Sequence, residues 1–270
     1  MKRRHFVITL AILAVSAQDD FFTKDKETAL GARLATEIRE RTTSIESTAV
    51  ENYIVRVGRR LATQLTDRGV TRTFTPVLDP PKGRTLEPIA FPGGFIFVSA
   101  PLILEARNES EFAGMLAHAM VHVSERHWVR TEPPAGVQHV DSVPLILVGG
   151  WGDDVLLPVG FLKSHRAFEL EADRIAVRIM DGAGYDPCAL LNYIDRLQPA
   201  STDRPSARSS MPSHDERIAV LTEAIQALPS ATYSSSDEEF QQIQQEVRRL
   251  MPVRTDEPPT LRRPPSLIRQ

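Results

Sequence analysis

The residues best suited to chemistry lie in Leu116-Ala117-His118-Ala119-Met120-Val121-His122. Two histidines at i and i+4 of a helix stand on one face, one turn apart. Their imidazoles can share one tetrahedral metal ion. The pair alone is an ambiguous signal, because the same spacing serves core or capping histidines. A second stretch, Glu169-Leu170-Glu171-Ala172-Asp173, follows in a later helix. Glu169 can supply a third ligand. Two histidines, one carboxylate and an open position form the ligand set of hydrolytic zinc. Asp173 shares the helix face of Glu169 and can accept a hydrogen bond from a ligand imidazole, fixing its tautomer. A surface or capping carboxylate is the other reading of Asp173.

Helices must carry these groups. Asn108-Glu109-Ser110-Glu111 opens one, its acids suiting the positive end of the dipole, and its apolar period runs to about Trp128. Phe168 to Met180 is a second, stopped by Gly182 and Gly184. Residues 23–65 predict two more, on Leu30, Leu34 and Ile38, then on Ile54, Val57, Leu61 and Leu65. Further helices are expected over Cys188–Leu197, Glu216–Leu228 and Asp237–Leu250. Phe74–Val77 alternates like a strand. Ile89–Phe91, Pro92-Gly93-Gly94 and Phe95-Ile96-Phe97-Val98 read as strand, turn and strand. The stretch 143–162 is apolar but broken by Pro144, Gly149, Gly150 and Pro158, which suits a buried hairpin-like segment or a lid. Residues 131–142 and 199–213 read as loops. Cys188 is expected in a helix core, as an inert thiol.

Composition narrows the function. Lys and Arg total 32 against 35 Asp and Glu in 270 residues, so no basic surface for nucleic acid is expected. One cysteine excludes an intrachain disulfide and a CxxC zinc site. Lys2, Arg3 and Arg4, an apolar run from Phe6 to Val15, then Val15-Ser16-Ala17 have the anatomy of a secretory signal peptide over 1–17. An uncleaved membrane anchor is the alternative. The expected location is periplasmic or elsewhere in a cell envelope. A single domain over 21–250 and a disordered, Pro-rich tail over 251–270 complete the expected organisation.

The order of these motifs resembles the gluzincin zinc metallopeptidases typified by HtpX and the CAAX-prenyl proteases, peptidase family M48, in their small exported branch. The likeness runs from about residue 21 to 228. It rests on Pro92-Gly93-Gly94-Phe95-Ile96-Phe97-Val98, on Asn108 to His127, on Glu169 to Ala176 with Gly184-Tyr185-Asp186-Pro187, and on Ser213-His214-Asp215-Glu216-Arg217. The resemblance implies an α+β fold, mostly helical and zincin-like, with a small, mostly antiparallel sheet packed on the two motif helices. It implies one Zn2+ held by His118, His122 and Glu169. It makes Asp173 a supporting or proton-donating acid. It places His214 near the metal and the developing oxyanion, with Arg217 bracing it.

One departure bears on activity. The family motif has Glu directly after its first histidine, and this chain has Ala119. Zinc acidifies its water, yet a base must still take the proton and pass it to the leaving amine. Alanine can do neither, and loss of a general base costs about 10²–10⁴-fold. Among possible substitutes, Glu125, seven residues after His118 on the same face, is either a replacement base or fourth ligand or a solvated carboxylate, and His165, four residues before Glu169, either reaches inward or is an exposed loop histidine. His127 reads as packing or hydrogen bonding at the helix end. Glu87-Pro88-Ile89-Ala90 also departs from the Asn-Ala that often precedes the family's strand. The leading expectation is a degenerate peptidase of the envelope that binds zinc and unfolded or extended polypeptide along an edge strand, Phe95 to Val98, possible partners including envelope proteins. The alternative is an active zinc metalloendopeptidase in envelope protein quality control, with an unusual general base. A scaffold that binds no metal is the third reading.

Overall fold

The structure, a computed structural model, describes residues 23–67, 69–78, 86–130, 145–148, 155–197, 211–233 and 237–252. The signal-like segment 1–17, the loop 131–142, most of 199–213 and the tail from 253 lie outside the described residues.

The chain begins with α1 (Lys24–Arg41) and α2 (Thr48–Ala62). Strands β1 (Thr73–Val77), β2 (Ile89–Phe91) and β3 (Phe95–Ser99) follow, with a single 3₁₀ turn, Pro92–Gly94, between the last two. Then come α3 (Ala100–Glu105) and α4 (Glu109–Ser124). A hairpin of β4 (Leu145–Val148) and β5 (Val155–Pro158) leads into α5 (Val159–Gly182). Helices α6 (Cys188–Leu197), α7 (His214–Gln226) and α8 (Glu238–Leu250) complete the chain. The fold is α+β and mostly helical.

The three-stranded sheet has the order β1-β3-β2. β1 runs parallel to β3 over five residue pairs, and β2 antiparallel over three. The sheet is therefore mixed, not mostly antiparallel. β3 lies in its centre, so the expectation of a free edge along Phe95–Val98 is corrected. The reason is the pairing on its two sides, β1 taking one edge and β2 the other. Ile96 and Val98 enter the larger core with Phe74, Leu116 and Met120. Phe97 enters a second cluster on the other face, with Leu30, Leu34, Phe91, Trp128 and Phe168.

α1 covers the second face and α4 the first. Ser110 to Val123 of α4 are all buried. A helix buried all round lies within the core. Phe112 packs between Tyr53 and Phe240, at 5.9 and 5.8 Å between ring centroids. Leu116 and Val123 are buried, and Ile175 is partly so, against the same core.

Close backbone approach explains two glycines. A Cβ on Gly31 of α1 would lie 1.7 Å from the Pro92 carbonyl oxygen. Gly94 has φ of +93°, and a Cβ there would lie 2.2 Å from the Thr71 oxygen. The Pro-Gly-Gly turn thus fits against α1 at Gly31, and against Thr71 at Gly94, because side chains are missing.

The elements differ from expectation at several points. α4 ends at Ser124 rather than about Trp128. α5 starts at Val159, so the described part of 143–162 is a hairpin followed by the first turn of a helix. Cys188 is exposed, not in a helix core. It opens α6, whose buried face is Ala189, Leu190, Tyr193 and Ile194. Burial, then Asp186, raises its thiol pKa.

Candidate metal centre

Local capping sets where α4 begins. Asn108 accepts a hydrogen bond from the Glu111 amide at 2.8 Å, an N-cap worth about 1 kcal/mol. The hydroxyls of Tyr53 and Tyr185 donate to Glu109 at 2.9 and 3.0 Å, tying that end to α2 and to the link before α6. About two and a half and three and a half turns further on, His118 and His122 face α5. There His165, Glu169 and Asp173 follow one another at steps of four, on one helix face.

The side chains meet. His118, His122 and Glu169 are buried, and each offers a ligand atom within 4.8 Å of the others. The Nε2 atoms of His118 and His122 are 3.1 Å apart. Glu169 Oε2 lies 3.2 Å from His118 Nε2, and Oε1 lies 3.4 Å from His122 Nε2. Each imidazole is held from behind through Nδ1. For His118 the partner is Asp173, at 2.8 Å. For His122 it is His127, Nδ1 to Nδ1 at 3.0 Å.

Asp173 is itself clamped. Arg217 donates to it through Nε and Nη2, both at 2.8 Å, and through Nη1 to Glu87, also at 2.8 Å. Arg217 is only 1% exposed. α7 delivers it from a helix start formed by a capping box, Ser213 with Glu216. Glu216 is also paired with Arg166 of α5.

His127 reaches His122 because of how α4 stops. Arg126 has φ of +54°. The His127 amide donates to the His122 carbonyl and the Arg126 amide to the Val123 carbonyl, both at 3.1 Å. This is a Schellman ending with arginine where glycine is usual. The left-handed backbone costs about 1–2 kcal/mol, and Arg126 is held by a 2.8 Å ion pair with Glu27 of α1. The motif folds His127 back over His122. Its ring stacks on Phe168 at 4.5 Å.

The electrostatics are those of a buried, electron-rich pocket. Burial disfavours charge on His118, yet Asp173 and then Glu169 outweigh it and push its pKa up to about 10. Burial holds His122 well below its usual value. Burial, and next Arg130, lower His127 to about 3. Burial opposes charge on Glu169, but His122, then His118 and His165, keep it ionised. Burial likewise opposes charge on Asp173, and Arg217 overcomes it. Three buried carboxylates, Glu87, Glu169 and Asp173, face one guanidinium, Arg217.

A divalent metal ion fits this arrangement. Both Glu169 oxygens are buried and neither accepts a directed hydrogen bond. Such groups are costly unless something else satisfies them. In a tetrahedral site with zinc bonds near 2.0–2.1 Å, ligand atoms lie about 3.3–3.4 Å apart, close to the distances here.

The other expected residues fall as follows. Ala119 is buried, 1% exposed, with a methyl where the family motif has a carboxylate. Glu125 caps the end of α4 and stands 3.8 Å from Arg130. His165 is not an exposed loop residue: it is helical and buried, with Nε2 3.0 Å from Glu169 Oε1. The polar run Lys163-Ser164-His165-Arg166 hid its place in α5, although its four-residue step to Glu169 was a usable signal. His214 opens α7 and is held by Asp195 and Asp215, both at 3.1 Å. Its hydrogen bonds do not join it to the three converging residues. Glu87 entered the sequence reading only as a departure from the family pattern. Nothing local marks it as a partner of Arg217, 130 residues away.

Together these features define a zincin-type site on a metallopeptidase scaffold. The profile of Peptidase family M48 matches residues 84–225, more than half of the chain, and the chain belongs to that family. It is 27% identical over 235 residues to the beta-barrel assembly-enhancing protease of Yersinia pestis, covering 79% of this chain and 47% of the relative. It is 28% identical over 170 residues to the protein of that name from Escherichia coli K12, covering 55% and 34%. The mitochondrial metalloendopeptidase OMA1 of Schizosaccharomyces pombe is 29% identical over 141 residues, covering 49% and 41%. The chain spans less than half the length of each of these relatives. Among the described residues, no helix is long and apolar enough to cross a membrane.

Proposed function

We propose that this protein is a zinc-binding metallopeptidase homologue that has lost peptide hydrolysis and binds unfolded or extended polypeptide in the cell envelope. The observation that carries this reading is the contrast at α4. His118, His122 and Glu169 converge within 4.8 Å, while Ala119 is a buried methyl in the position of the base. Metal affinity needs neutral imidazoles and a carboxylate, and no general base.

His118, His122 and Glu169 would hold the ion. Zinc, when bound, polarises a carbonyl and acidifies water. The chain's own groups do the rest. Asp173 fixes the His118 ring through Nδ1, which leaves Nε2 as the atom that would hold the ion. Arg217 keeps Asp173 ionised and locked in place. His127 does for His122 what Asp173 does for His118. Ala119 can neither accept nor relay a proton, and Glu125, turned to Arg130, does not replace it.

Polypeptide would add to the sheet by main-chain hydrogen bonds. With β3 paired on both sides, the margin for this is β2, Ile89–Phe91, which packs beside α4. Among the described residues no strand pairs with its outer edge. The signal-like N-terminus supports an exported location. Relatives named for enhancing beta-barrel assembly support a role in handling polypeptides before assembly.

The test is cleavage of unfolded casein by zinc-loaded wild type, with and without chelator. No cleavage, with one zinc retained per chain, is expected. Cleavage that the chelator abolishes overturns the reading.

A further inference from the structure

The hydrogen bonds behind His118 do not stop at Asp173. Arg217 grips Asp173 with Nε and Nη2 and turns Nη1 to Glu87 Oε1, each link at 2.8 Å. With the 2.8 Å contact of Asp173 Oδ1 to His118 Nδ1, the line runs unbroken from Glu87 to the first histidine. All four residues are buried. The guanidinium is a rigid, flat fork. Asp173 holds one edge of it and Glu87 the far end. Without Glu87, Nη1 would lose a charge-assisted acceptor in a buried place. That loss is costly, and a guanidinium relieves it by shifting, which pulls on the same Asp173 carboxylate. The acceptor also comes from a stiff stretch. Glu87 stands two residues before β2, and Pro88 between them has a fixed φ. It belongs to the stretch that departs from the family pattern, so the resemblance does not imply this contact.

We propose that Glu87 is a positioning residue of the metal centre: through Arg217 and Asp173 it sets the orientation of the His118 ring, and so the affinity for the ion. This rests on the zinc-binding reading above. Glu87 acts by placing an oxygen, not by adding a negative charge, since Asp173 already neutralises the guanidinium. The same contact ties the start of β2 to the site. Outer partners of this kind govern how well a ligand is aimed, and the aim of His118 is then set partly from the sheet.

Cobalt(II) titration of the full chain, followed by visible absorption, tests this. Circular dichroism and melting of the metal-free forms check that each variant folds. Affinities are compared well below the onset of melting, where a loss of stability alone does not move them. Glu87→Ala should weaken cobalt binding by about 10-fold, the lower end of what loss of an outer partner costs, because it acts further from the ring than Asp173. Glu87→Gln keeps an oxygen at the same reach and should bind cobalt as wild type does. Glu87→Asp keeps the charge but shortens the reach. It should weaken binding as the alanine variant does, and it carries the test if that variant does not fold. Equal affinity in wild type, Glu87→Ala and Glu87→Asp overturns the role of Glu87 and leaves the zinc-binding reading standing. A loss in Glu87→Gln with none in Glu87→Asp means that charge acts and position does not, and overturns it as well. Failure of wild type to retain cobalt or zinc overturns both readings.

Discussion

At the residue scale, Ala119 makes one prediction. Restoring the carboxylate with Ala119→Glu supplies a base beside the three converging residues. Zinc-loaded Ala119→Glu should therefore cleave casein faster than wild type, by about 10-fold or more, within the 10²–10⁴-fold that general-base catalysis supplies. Equal rates in the two, measured at full zinc occupancy, would show that the missing carboxylate is not what limits the site. Arg217 makes a second prediction. Replacing it by Met leaves Asp173 and Glu87 buried without their cation. Breaking one side of a buried pair costs about 3–5 kcal/mol. Urea melts of Arg217→Met should show that loss, and Arg217→Lys, which keeps the charge but not the two-pronged grip on Asp173, should lose less.

At the element scale, the site depends on how helices stop and how closely they approach. The turn Pro92-Gly93-Gly94 seats against α1 only because Gly31 has no side chain: a Cβ there would overlap the Pro92 oxygen. Gly31→Ala must push α1 off the turn and disturb the cluster of Leu34, Phe91 and Phe97. Overpacking of this kind costs about 1–3 kcal/mol, and the clash is with backbone, so the upper end is expected in thermal melts. Gly69, with nothing within 4 Å of the added Cβ, is the control. The end of α4 shows the same dependence. A helix that continued through Arg126 would carry His127 past His122 instead of folding it back. The orienting contact on His122 therefore comes from a chain reversal.

At the scale of the whole molecule, the candidate metal centre joins parts of the chain that are distant in sequence. α4 and α5 are separated by a hairpin, and α7 reaches the same site through Arg217. Zinc bound to this native arrangement stabilises it by mass action, about 2.7 kcal/mol at a free concentration 100 times Kd. For a domain of this size that is about 5–10 °C in melting temperature. A chelator should reverse the shift. An unchanged melt with stoichiometric zinc would mean that the ion binds the unfolded chain as well. The proposed polypeptide surface belongs to this scale too, since which strand is an edge is a property of the assembled sheet.

Most of the helices were legible from the residues because they rest on local physics. An i, i+4 histidine pair shares a face in any helix. The caps at Asn108 and Ser213 act within three residues, and Pro-Gly-Gly turns the chain wherever it stands. These features determined the α+β class and the shared faces of His118 with His122 and of Glu169 with Asp173. They also made Ala119 visible where the family motif has its glutamate. Other features depended on packing between distant segments. The apolar run Phe95–Val98 reads alike as an edge or a central strand. Only its pairing with β1 and β2 decided that it is central. Lys163 to Arg166 reads as a polar loop, and only the seating of α5 on α4 buried His165 beside Glu169. Arg217 found Asp173 and Glu87 through the tertiary fold, and His214 found Asp195 and Asp215. Spacing along the chain determines what can share a face. Which faces then meet is decided by the packing of the core, and no local pattern contains it.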